Sequence, residues 1–236
     1  MRIALLEDDP LQSDMLAGWL REAGHDVHCF ATARELMRIV SRESFDFFLL
    51  DGMLPDHSGR YVLQWLRQER NNDSPAVFVT ALDTEEEVVA ALSGGADDYI
   101  VKPVRRAEVL ARIDAVLRRG RPLAATAVLE AGPYRFDTAH RSAQLDGRAI
   151  ELTDKEFELA LFLFRNVGRL MSRGHLLEAV WGRTAAVATR TVDTHVSRVR
   201  TKLELRPDHG FRLVPAYNFG YRLERVDDAT DAGASA

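Results

Sequence analysis

The chain holds one cysteine, Cys29, so no internal disulfide framework is available and a reducing compartment is implied. No apolar run comes near the ~20 residues that a membrane-crossing helix needs. The opening Met1-Arg2-Ile3-Ala4-Leu5-Leu6 meets a carboxylate at Glu7, too soon for the apolar core of a secretory signal. No internal repeat is present. These absences argue against a secreted, membrane-spanning or collagen-like protein, and the expected location is the cytoplasm with no membrane partner. What is present is 236 residues, 46% hydrophobic and 28% charged, the mix of a folded chain of one or two domains.

The net charge of −5 is unevenly spread. Residues 1–122 carry 15 Lys and Arg against 21 Asp and Glu, and residues 123–225 carry 16 against 12. The last eleven residues add 3 carboxylates and no cation. An acidic front and a basic back point to two jobs, the second on a polyanion. Ordinary scatter of charge gives the same totals.

Five short apolar runs read as strands: 3–6, 27–30, 47–50, 76–79 and 99–101. Several are apolar throughout, as strands buried on both faces are. Amphipathic stretches at 10–23, 32–42, 59–70, 84–93 and 105–119 alternate with them and read as helices. Five strand–helix units predict a doubly wound parallel sheet. Gly120 to Ala127 reads as a linker. Beyond it come short strand candidates at 128–130, 134–136, 143–145 and 150–152, with Asp146-Gly147 as a hairpin turn. Helices follow at about 153–166, capped by Thr153 with Glu156, at 173–180, capped by Ser172, and at 189–205. Residues 211–214 and 220–223 read as a closing hairpin, and 226–236 as a disordered acidic tail. The expected domains are therefore 1–119 and 128–225, the second smaller and α+β.

In an open parallel sheet, ligands bind beyond the carboxyl ends of the strands. Here the first strand is followed by Glu7, Asp8 and Asp9, and the third by Asp51. The fourth ends at Thr80 and the fifth at Lys102-Pro103. Carboxylates that converge repel unless a cation sits among them, and hard oxygen ligands at an open site suit Mg²⁺. A lysine and a hydroxyl beside that cation would bind a phosphoryl group. Taken singly each signal is weak, and Asp9 before Pro10 reads as a helix N-cap. The joint placement is what carries weight.

That constellation resembles the receiver domain of two-component response regulators. The resemblance is carried by Ile3 to Asp9, Leu49-Leu50-Asp51-Gly52-Met53-Leu54-Pro55, Val79-Thr80-Ala81 and Gly95 to Pro103. It implies Asp51 as phosphoacceptor, and Mg²⁺ held by Asp8, Asp51 and the Met53 backbone carbonyl, with Glu7 acting directly or through water. It implies Lys102 against the phosphoryl oxygens, a cis peptide at Lys102-Pro103, Thr80 as hydrogen-bond donor to the phosphoryl group, and Tyr99 as the aromatic that changes rotamer. A sensor histidine kinase is the implied donor, and a homodimer formed on phosphorylation or on DNA the implied assembly. One departure bears on that dimer. Val88 stands where relatives place a basic residue early in the fourth helix, although Glu108, Asp98 and Arg112 remain.

In the basic half, Val192, Val196, Val199 and Leu203 fall within about 60° of one another on a helical wheel and must face a core. Arg190, Thr194, Ser197, Arg198 and Thr201 fall on the opposite side, suited to a major groove, with Arg200, Lys202 and His195 on the flanks. Strands, three helices and a hairpin in this order resemble the winged helix-turn-helix of the OmpR/PhoB family. The carriers are Leu152 to Phe157, Ser172 to Leu177 with Trp181-Gly182, Arg190 to Val196 with Arg198, and Gly220 to Leu223. The resemblance implies promoter double-stranded DNA as partner and contacts from Arg190, Thr191, Thr194, Ser197, Arg198, Arg200 and Tyr217. It also implies a loop at 182–188 that meets RNA polymerase in some relatives. Tyr217 replaces a wing arginine common in the family.

The chain thus reads as a DNA-binding transcription regulator switched by phosphorylation of Asp51, and not as an enzyme. Haloacid-dehalogenase-type phosphatases also form an aspartyl phosphate, but they place a second Asp two residues after the nucleophile, where this chain has Met53. The alternative within the same fold is a phosphorylation-independent regulator acting through protein contacts. The full set Glu7, Asp8, Asp51, Thr80 and Lys102 argues against it.

Overall fold

The computed structural model describes residues 1–120, 128–182 and 190–226, without the side chains of 119 and 120. Residues 121–127 of the expected linker, 183–188 of the expected loop and 227–236 of the expected acidic tail lie outside those residues. The chain divides into two compact units, Met1–Pro122 and Leu123–Ala236. No helix among the described residues is long and apolar enough to cross a membrane.

The first unit alternates strands β1 (Arg2–Leu6), β2 (Asp26–Phe30), β3 (Phe47–Leu50), β4 (Ala76–Thr80) and β5 (Asp98–Val101) with helices. These are α1 (Pro10–Glu22), α2 (Ala33–Val40), α3 (Gly59–Gln68), α4 (Glu85–Ser93) and α5 (Arg106–Gly120). All strand pairs are parallel, in the order β2-β1-β3-β4-β5. The period-2 alternation of strand side chains divides the core. Ile3, Leu5, Phe47, Leu49, Val77 and Val79 pack with α1 and α5. Ala4, Leu6, Phe48, Leu50, Ala76 and Phe78 pack with α2, α3 and α4. Helices α1 to α4 each start where a short polar side chain accepts the first free amides. Asp9 does this for α1, Thr32 for α2, Ser58 for α3 and Thr84 for α4. Asp9 is thus the cap expected from Pro10.

The second unit opens with an antiparallel sheet of β6 (Val128–Ala131), β7 (Tyr134–Asp137), β8 (Ser142–Leu145) and β9 (Arg148–Ile150). The last strand lies earlier than the expected 150–152. Asp146 and Gly147, both at positive φ, form a two-residue turn that pairs Leu145 with Arg148 and starts the strand at once. Helices α6 (Asp154–Arg165), α7 (Arg173–Trp181) and α8 (Arg190–Lys202) follow. A final sheet is ordered β10 (Leu170–Ser172), β12 (Gly220–Arg225), β11 (Phe211–Ala216). The three-residue β10 and a short 3-10 turn at Pro207–His209 escape sequence reading. Val192, Val196, Val199 and Leu203 are buried in this unit's core with Tyr134, Phe136, Phe164 and Phe211.

Candidate functional site

The parallel sheet brings the chemistry-bearing residues to one edge because every strand ends there. The Lys102 ammonium donates to Asp51 Oδ2 at 2.7 Å and to Glu7 Oε2 at 2.8 Å. Glu7, Asp8 and Asp51 each offer an oxygen within 4.8 Å of the other two. Glu7 and Asp51 are only 3% and 6% exposed, whereas Asp8 faces solvent. Asp51 Oδ1 accepts the Met53 amide at 3.1 Å, and Glu7 Oε1 accepts the Asp9 amide at 3.3 Å. The Lys102-Pro103 peptide is cis, as the family resemblance implies.

Close packing fixes the loop after β3. The Gly59 amide donates to the Gly52 carbonyl at 3.1 Å, and a Cβ on Gly59 would run into the Asp51 carbonyl oxygen. A Cβ on Gly52 would stand 2.8 Å from Thr80 Oγ1, so the Thr80 hydroxyl lies directly over the residue after Asp51. The loop tip is anchored by Asp56, whose carboxylate accepts the amides of Ala33 and Arg34 at the start of α2, at 3.0 and 2.9 Å.

Burial pushes the Glu7 carboxyl above its ordinary range, and the Asp51 charge adds to this against the opposing Lys102. Burial works against the Lys102 ammonium, but its hydrogen bonds and charges with Asp51 and Glu7 prevail and raise its pKa. One ammonium therefore faces three carboxylates. An all-oxygen donor set with excess negative charge and one solvent-facing member fits a small hard cation such as Mg²⁺.

Thr80 is fully buried, and its hydroxyl accepts the Leu82 amide at 3.3 Å. The Tyr99 hydroxyl donates to the Leu82 carbonyl at 2.7 Å, and its half-buried ring lies tilted on Phe78. Leu82 thus joins Thr80 to Tyr99 through its two backbone groups. On the neighbouring α4 and β5 surface, Val89, Leu92 and Val101 are exposed by 54, 44 and 40%, whereas Ala91 points into the core. Arg112 donates to Glu108 at 3.0 Å and sits 3.3 Å from Asp98, both in the same chain.

The second unit presents a polar helix face. Arg190, Thr194, Ser197 and Arg198 are exposed and Thr191 is half-buried on α8. Arg200 departs from the others because its guanidinium donates to the Leu213 carbonyl of β11 at 2.9 Å. Tyr217 is 94% exposed at the tip of the β11–β12 hairpin. The buried Glu156 completes the capping box of α6 and accepts the Lys202 ammonium at 2.7 Å, tying α6 to the end of α8. A second tie lies at the start of α8. Asp193 Oδ1 accepts Arg173 Nε at 2.9 Å and the Tyr221 hydroxyl at 2.6 Å. All three residues lie within motifs that carry the family resemblance, but nothing in their spacing shows that they meet.

The match to known proteins covers both units. Residues 3–114 match the family "Response regulator receiver domain", and residues 147–223 match "Transcriptional regulatory protein, C terminal". The sensory transduction protein RegX3 of Mycolicibacterium smegmatis is 39% identical over 226 residues, covering 94% of this chain and 98% of its own. RegX3 of Mycobacterium leprae is 43% identical over 186 residues, covering 78% and 93%. Response regulator DrrB, a Thermotoga maritima OmpR/PhoB homologue, is 30% identical over 94% of this chain and 98% of its own, with a TM-score of 0.45.

The two units are therefore a phosphorylation-responsive receiver and a DNA-binding domain, the parts of a transcriptional regulator. The chain belongs to the OmpR/PhoB family of two-component response regulators.

Proposed function

We propose that Asp51 accepts a phosphoryl group from a cognate sensor histidine kinase and that this event tunes how α8 and the β11–β12 hairpin grip promoter DNA. A carboxylate oxygen of Asp51 attacks phosphorus while the bond from phosphorus to the kinase histidine breaks. The electron pair returns to the imidazole, which takes a proton. Two anions must meet in this step, so positioning and charge stabilisation are what the protein supplies. The observation that carries this reading is the Lys102 ammonium 2.7 Å from Asp51, at an edge where Asp8 faces solvent. Glu7, Asp8, Asp51 and the Met53 carbonyl would hold Mg²⁺, which when bound supplies further neutralisation of phosphoryl charge. Lys102 holds the phosphoryl oxygens.

The acyl phosphate adds about −2 charge beside Thr80. The Thr80 hydroxyl then leaves the Leu82 amide and donates to a phosphoryl oxygen, and Leu82 shifts with the carbonyl that Tyr99 holds. The surface of α4, β5 and α5 is repacked in consequence. That surface is the proposed homodimer face. Its exposed valines and leucine make it apolar, and the missing cation at Val88 makes the dimer weak away from DNA.

Residues 1–119 act as the receiver and 128–225 as the DNA-binding domain. Arg190, Thr191, Thr194, Ser197 and Arg198 are the proposed groove-facing residues. Arg200 acts at the flank and Tyr217 at the hairpin tip. The segment 182–188 is the proposed contact for RNA polymerase, and the cytoplasm the proposed location. Genome-wide footprinting of the full chain and of Asp51→Asn tests the whole reading. Protected sites that weaken in the variant are expected, and equal protection by both would leave phosphorylation without a role.

A further inference from the structure

The DNA-reading helix α8 carries four cations, Arg190, Arg198, Arg200 and Lys202, and a single carboxylate, Asp193. Arg190 and Ser197 lie three residues before and four after Asp193, so the acid borders the exposed polar strip. A carboxylate beside a duplex repels phosphate. An acid in a helix's first turn is favoured by the helix dipole, but that needs no partner from elsewhere in the fold. Asp193 has two such partners. Arg173 Nε, at the first turn of α7, donates to it at 2.9 Å, and the Tyr221 hydroxyl of β12 donates at 2.6 Å. The Arg173 guanidinium lies over the Tyr221 ring at 5.2 Å, and its backbone amide donates to the Phe219 carbonyl at the hairpin tip at 3.1 Å. The two elements that grip the duplex in the reading above, α8 and the β11–β12 hairpin, therefore meet α7 at one carboxylate.

We propose that Asp193 is a positioning residue for duplex binding: it fixes α8 against α7 and the wing, and it neutralises Arg173 so that this arginine contributes orientation without net charge. The inference rests on the DNA-binding reading. Side-chain exposures of 29% for Arg173 and 42% for Asp193 leave the pair within reach of a phosphate, yet joined by a direct charge-assisted bond. Burial opposes the Arg173 charge most strongly of any single effect, but the bond to Asp193, its charge and the Tyr221 hydroxyl together outweigh it and raise the Arg173 pKa. Binding that uses this corner gains geometry and gives up one unit of electrostatic attraction, which favours a fitted site over arbitrary sequence.

The test is the salt dependence of binding to a random-sequence 30-bp duplex, measured by fluorescence anisotropy on the full chain from about 50 to 200 mM KCl. Asp193→Asn keeps the shape and cancels the charge. It is expected to bind this duplex about tenfold more tightly near 100 mM KCl and to steepen the log–log salt slope by about one, the value of one added phosphate contact. In Asp193→Asn/Arg173→Ala the slope returns to that of Arg173→Ala. Asp193→Glu retains the charge and keeps the wild-type slope, and circular dichroism melts confirm that each variant is folded. A wild-type chain that binds with a slope unchanged in Asp193→Asn would overturn the inference and leave DNA binding standing. A slope still steepened in the double variant would also overturn it, because the added attraction would then not come from Arg173. A wild-type chain with no affinity for any duplex would overturn both readings.

Discussion

Lys102 and Asp51 are 51 residues apart in sequence, and their charged groups lie 2.7 Å apart at the carboxyl edge of the sheet. The same ammonium holds the buried Glu7, so one cation compensates two carboxylates that are almost entirely removed from water. Removing one member of a buried ion pair strands its partners at a cost of about 3–5 kcal/mol.

Lys102→Met is therefore expected to lower the unfolding free energy of the first unit by an amount of that order in EDTA. Added Mg²⁺ should raise its melting temperature more than that of the wild type, because it replaces the lost positive charge. Thermal melts with and without Mg²⁺ check this. Equal melting of the two chains in EDTA would mean that the carboxylates need no cation.

Gly59→Ala tests the packing of the loop that carries Met53. Its methyl group would collide with the Asp51 carbonyl oxygen, and backbone cannot give way cheaply. A loss of about 1–3 kcal/mol is expected from overpacking, together with slower phosphoryl labelling because the end of β3 is displaced. Urea unfolding and a labelling time course measure the two effects.

The pairing of Glu156 with Lys202 makes the second unit acid-sensitive. Burial raises the Glu156 pKa, but the hydrogen bonds from Lys202 and the Thr153 amide outweigh it and hold the group below its ordinary 4.5. A carboxyl depressed on folding contributes stability that is fully present above its unfolded pKa and is lost as pH falls through the folded value. Glu156→Gln should cost about 1–2 kcal/mol at pH 7 through the lost charge-assisted bonds, and progressively less below about pH 4. Unfolding curves across that range read the convergence, and a gap independent of pH would contradict it.

Much of this site is legible before any coordinates. Glu7, Asp51, Thr80 and Lys102 each follow an apolar run, and a parallel sheet gathers such positions at one edge. The valines of α8 likewise announce their buried face through periodicity. What periodicity cannot report is the partner across the fold. Glu156 and Lys202 are 46 residues apart, Arg173 and Asp193 are 20, and nothing local marks either pair. Arg200 lies on the flank of the wheel and is a DNA contact only by the family resemblance, and its guanidinium reaches the Leu213 carbonyl. Ala91 stands in sequence between Val89 and Leu92, which are exposed, but its position on α4 turns it into the core. The strand β10 is three residues long and exists only because β12 pairs with it.

The most direct test of the central claim is intact-mass and peptide mapping of the full chain after incubation with acetyl phosphate and Mg²⁺. The account predicts one added phosphoryl group, located on Asp51 and absent from Asp51→Asn. A phosphoryl group that persists in Asp51→Asn, or that maps to another strand end, would contradict it.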